Sequence, residues 1–64
     1  MTADAGDRLR TLRHDLSNPL AAVLAETQLL LLDADVLGPD TVAGLKQIET
    51  LARKMRQILE QLDA

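Results

Sequence analysis

Apolar residues recur along the first half of the chain at spacings of three, four and seven: Leu9, Leu12, Leu16, Leu20, Val23, Leu24, Leu30 and Leu31. That period places them on one face of an α-helix, expected to run from about residue 7 to about residue 33. Met1 to Gly6 is small and polar and contains a glycine that weakens helix, so it reads as a frayed lead-in or as the end of a truncated upstream helix. The pattern breaks over Asp33-Ala34-Asp35-Val36-Leu37-Gly38-Pro39-Asp40. Gly38 suits a helix C-terminus or loop, Pro39 stops continuation, and Asp40 is placed to cap the next helix, giving a turn over roughly 34–40.

The second helix, expected over about 41–62, has the cleaner repeat. With Leu45 at heptad position a, Leu45, Ala52 and Leu59 fall at a, and Ile48, Met55 and Leu62 at d. Leu51 and Ile58 at g widen this seam to the face expected of a helix with more than one neighbour. Gly44 and Ala52 are candidates for close helix approach, or simply tolerated small residues.

Length turns this pattern into an architecture. A chain of 64 residues with no Phe, Tyr or Trp makes one domain, here taken as residues 7–64, with little to fill a core. No cysteine and a single histidine close the disulfide and metal routes to extra stability. The short turn sends the helices back antiparallel, and each has a broad apolar face but only one partner within the hairpin. The expected fold is therefore all-α: a helical hairpin that forms a homodimeric antiparallel four-helix bundle.

Charge and candidate chemistry sharpen the picture around His14. With Leu9, Leu16, Val23 and Leu30 at a, His14 falls at f, solvent-facing, with Asn18 and Arg10 one turn to either side. Asp15 falls at g, on the flank. A lone exposed histidine beside polar residues is ordinarily just surface. Pro19 changes that weighting: inside a helix it removes a hydrogen bond to the Asp15 carbonyl and costs roughly 3 kcal/mol, so local backbone geometry matters here. Arg8, Arg10 and Arg13 flank the histidine. If residues i and about 73 − i are level in the hairpin, Arg53, Lys54 and Arg56 lie close to it as well. A basic zone suited to phosphate or carboxylates thus sits in a chain of net charge −3, while Asp33, Asp35 and Asp40 gather at the turn. The overall acidity argues against nucleic acid as the main ligand. Leu20 to Leu32 is interrupted too soon to insert in a membrane, and no signal peptide is visible.

His14-Asp15-Leu16-Ser17-Asn18-Pro19-Leu20, followed by a turn and a second amphipathic helix, resembles the dimerisation and histidine phosphotransfer domain of bacterial sensor histidine kinases. The resemblance extends over about Arg8 to Leu62. It implies that His14 is the phosphoacceptor for the γ-phosphate of ATP and that Asp15 orients the ring and acts as general base. It also implies that Asn18 positions water when a partner is dephosphorylated, and that Pro19 is a conformational kink. Many members have Glu in place of Asp15 and Arg-Thr in place of Ser17-Asn18. The implied partners are a second copy of the chain, a catalytic ATP-binding domain and the receiver domain of a response regulator. No cofactor belongs to this chain itself, because ATP and Mg are held by that separate catalytic domain. The chain is accordingly expected to be a fragment of a histidine protein kinase, not self-sufficient, and cytoplasmic. A non-catalytic helical-hairpin dimeriser explains the heptads equally well, but it does not explain Pro19 or the placement of His14 and Asn18. A stand-alone histidine phosphotransfer protein would carry a longer monomeric bundle and a different histidine motif.

Overall fold

In the computed structural model, which describes residues 4–62, the chain is an all-α hairpin in which α1 spans Ala5–Leu31 and α2 spans Pro39–Gln61. Helix α1 begins earlier than its apolar period implies because Asp4 caps it. The Asp4 carboxylate accepts a 2.8 Å hydrogen bond from the backbone N–H of Asp7, one of the first-turn donors that lack a carbonyl partner. Gly6 therefore belongs to the helix and not to a lead-in, while residues 1–3 of that segment lie outside the described residues.

The connection occupies residues 32–38, displaced from the expected 34–40. After Leu31 the amides of Leu32, Asp33 and Ala34 bond three residues back, to the carbonyls of Leu29, Leu30 and Leu31, which tightens the end of α1. Asp40 is not the cap of α2. Gly38 occupies that position with extended backbone and no capping side chain, and Pro39 takes the first helical turn, where its missing N–H costs nothing and its fixed φ suits a helix. Asp40 lies in the first turn, where its charge favours the positive end of the helix dipole.

The two helices meet along Leu20, Leu24 and Thr27 of α1 and Ala52 of α2, all buried, with Leu59 packed against them. The buried Thr27 hydroxyl is satisfied, since it donates to the Val23 carbonyl at 2.7 Å. Ala52 is the small residue at the contact. Gly44 is not, because a Cβ added there would meet nothing within 4 Å.

This seam corrects the register expected for α1. Its buried and half-buried positions are Gly6, Leu9, Arg13, Ser17, Leu20, Leu24, Thr27 and Leu31, so that of the expected seam only Leu9 is half-buried, and from Arg13 onward the stripe runs on the flank of the one through Leu16, Val23 and Leu30. The remaining apolar face is left uncovered by the hairpin. Leu12, Leu16, Val23 and Leu30 on α1 and Ile48, Leu51, Met55 and Ile58 on α2 are 45% to 53% exposed. At about 100° per residue each set forms one strip along its own helix, and the strips meet where Leu16, Leu20, Met55, Ile58 and Leu59 line one apolar hollow between the helices. The hairpin measures 56 × 15 × 12 Å, a single layer of helices.

Candidate functional site

Helix α1 runs unbroken through Pro19 and carries His14 on its exposed surface. Counting about 100° per residue, His14 points roughly opposite to Leu12, Leu16 and Val23, so the histidine and the uncovered apolar face occupy opposite sides of the hairpin. Around His14 lies an open groove lined by Asp7, Arg10, Thr11, Arg13 and Ser17 of α1 and by Glu60 of α2. Arg13 and Ser17 enter it from the seam, which is why the groove follows the junction of the helices.

What holds the far wall of this groove is a contact between the two ends of the hairpin. The Arg13 Nη1 donates a 2.6 Å hydrogen bond to the backbone carbonyl of Leu62, in a partly buried setting. The last turn of α2 has no basic residue of its own, so its free carbonyls and negative dipole end are met by a cation from α1. A hydrogen bond from a charged donor is worth about 1.5–3 kcal/mol. The last turn of α2, with Glu60, is thereby fixed beside His14.

The charges around the histidine are more finely divided than a basic zone. Arg10 pairs with Asp7 at 2.9 Å, Arg53 with Glu49 at 3.3 Å and Arg56 with Glu60 at 3.8 Å, each within its own helix. Arg8 lines a different depression, with Ala5, Leu9 and Leu12. From α2 the groove receives an acid, Glu60, rather than Arg53, Lys54 or Arg56.

Asp15 and Asn18 are both exposed. Asn18 is one turn beyond His14 on the same side of α1. Asp15 lies about 100° round the helix and lines a separate hollow with Asp7, Arg8, Thr11 and Leu12, so the groove of His14 does not contain it. Among the described residues, none of the side-chain hydrogen bonds involves His14, Asp15 or Asn18. Pro19 is exposed and leaves the Asp15 carbonyl without its helical donor.

Two participants were not singled out by sequence reasoning, Glu60 and the Arg13 contact with Leu62. A signal for both existed in the antiparallel register, which sets the last turn of α2 level with Arg13. Among the described residues there is no group of three or more His, Cys, Asp or Glu able to hold a metal ion. No helix there is long and apolar enough to cross a membrane.

Comparison with known families gives one result that covers nearly the whole chain: the model of the His Kinase A (phospho-acceptor) domain matches residues 5–64. No curated protein and no solved structure matches.

Proposed function

The chain belongs to the His Kinase A (phospho-acceptor) domain family, and from that premise we propose that His14 is its phosphoacceptor and that two copies of the hairpin form the working unit. The observation that carries this reading is the exposure of His14 in an open groove on the side of the hairpin opposite its uncovered apolar face. A second copy can cover that face and leave the histidine accessible to two successive partners.

In the reaction a ring nitrogen of His14 attacks the γ-phosphorus of ATP, which is brought with Mg by a catalytic domain. The bond from phosphorus to the ADP oxygen breaks as the bond to nitrogen forms. The proton on the other ring nitrogen passes to Asp15, whose exposed side chain has no hydrogen bond to give up among the described residues. The phosphoryl group then moves to an aspartate of a receiver domain. Asn18, on the same side one turn on, orients water when that aspartyl phosphate is hydrolysed. Pro19 supplies the bend that separates the two activities, since the helix lacks a bond there. The setting is cytoplasmic, where ATP and the receiver domain are found.

The test is phosphorylation of the purified chain by ATP and a histidine-kinase catalytic domain supplied in trans. Wild type is expected to gain acid-labile phosphate and His14→Gln none, with both sedimenting as dimers. Equal labelling of the two would overturn the assignment of His14.

A further inference from the structure

We propose that Arg10 is the residue that receives the phosphoryl group on His14, exchanging its ion pair with Asp7 for one with the phosphorylated ring. This rests on the phosphoacceptor reading of His14 and assigns it an anion subsite. The three arginines near the histidine are not equivalent. Arg8 opens on another side of α1, in a hollow with Ala5, Leu9 and Leu12. Arg13 is committed to the Leu62 carbonyl by a partly buried 2.6 Å bond. Arg10 shares the groove with His14, and it precedes the histidine by one helical turn, a spacing at which Cβ atoms are about 5–6 Å apart and side chains meet.

Its present partner is one it can leave. The Arg10 to Asp7 contact is 2.9 Å long, but the two side chains are 58% and 56% exposed, and ion pairs of that kind contribute little. A phosphorylated imidazole presents up to two negative charges and three acceptor oxygens, and the planar guanidinium matches them with two parallel N–H donors. The exchange therefore runs toward the phosphoryl group. Thr11 and Ser17 offer hydroxyl donors at the same groove. Glu60, which enters from α2, and Asp7 on α1 oppose anion binding there, so the subsite depends on Arg10 to outweigh them.

The phosphoryl group itself reports this contact. A guanidinium beside it favours the dianion and lowers its last ionisation. The dimer is phosphorylated with ATP and a catalytic domain in trans, or with phosphoramidate, whose P–N bond breaks and releases ammonia as the bond to the His14 ring nitrogen forms and the ring proton passes to solvent. The phosphohistidine is then titrated by phosphorus NMR. Arg10→Gln is expected to raise the phosphoryl pKa by roughly half a unit, Arg10→Lys to restore part of the shift, and Arg8→Gln, which removes the same charge from the other side of the helix, to leave it in place. Asp7→Asn frees Arg10 and removes a carboxylate from the groove, and it is expected to lower the pKa more in the wild-type background than when Arg10→Gln is also present. Coincident titration of wild type and Arg10→Gln would overturn the subsite while leaving the phosphoacceptor intact, and so would an equal response to Arg8→Gln. Failure of both donors to label wild type would remove the phosphoacceptor reading and the subsite with it.

Discussion

At the scale of single residues the chemistry depends on which side chains have partners. His14, Asp15 and Asn18 are exposed and make none of the hydrogen bonds among the described residues, whereas Arg13 is tied to the opposite helix. Asp15 is next to His14 in sequence but about 100° away around the helix, so its proposed work as a base requires its side chain to swing toward the ring. Removing its charge while keeping its shape isolates that role. Asp15→Asn is expected to slow phosphorylation of His14 by roughly 10²-fold, measured as initial rate at saturating catalytic domain, with sedimentation unchanged. Asp15→Glu should retain most of the rate, since the longer chain reaches the same ring. Equal rates for Asp15→Asn and wild type would remove Asp15 from the mechanism. That His14, Asp15, Asn18 and Pro19 share one short stretch of α1 was legible in the sequence, because they lie within six residues of a single helix. Glu60 was not part of that stretch, because its approach to His14 depends on the antiparallel register of the hairpin and not on a contiguous motif.

At the scale of elements, capping chemistry and the seam decide where each helix begins and how it packs. Asp4 starts α1 ahead of the first apolar residue, and Pro39 starts α2 one residue before the aspartate that local preference singled out. Both shifts have the same cause: a hydrophobic period marks what a helix buries, while its ends are set by who satisfies the free backbone groups. Gly44 shows the opposite limit. Small residues on a helix suggest close approach, yet here the space is open, so the glycine costs backbone entropy without a packing return. Gly44→Ala is expected to stabilise the folded chain by about 0.5–1 kcal/mol, checked by urea unfolding at fixed protein concentration. A loss of stability would mean that something covers Gly44 in the assembled protein.

At the scale of the whole molecule, the hairpin is too thin to be its own core. Its Cα radius of gyration is 15.6 Å, against about 11 Å for a compact chain of this length, and among the described residues the buried apolar ones are Leu20, Leu24 and Ala52. The uncovered strips on α1 and α2 hold eight large apolar side chains, each about half exposed. Each of those side chains gains on the order of 1 kcal/mol by finishing its burial, so folding and association should be one event. Met55→Glu, together with Leu16→Glu, is expected to yield a monomer of much reduced helicity by sedimentation and circular dichroism. His14→Gln, on the other side, should remain a helical dimer. A folded monomeric double variant would show that folding does not depend on covering this face.

The sequence by itself determined the all-α hairpin, the apolar faces and the family to which the chain belongs. Helical period, a Gly-Pro break and a contiguous motif are local properties, readable without knowing what touches what. Only the tertiary structure decided how the broad face of α1 is divided between Leu20, Leu24 and Thr27, which are buried in the hairpin, and Leu12, Leu16 and Val23, which stay about half exposed. Both stripes satisfy the same period, and the choice between them is made by which one packs against Ala52 and Leu59 across the hairpin. The same packing brings Glu60 to the groove of His14 and commits Arg13 to Leu62. Those contacts join residues far apart in the chain, and no local pattern encodes them.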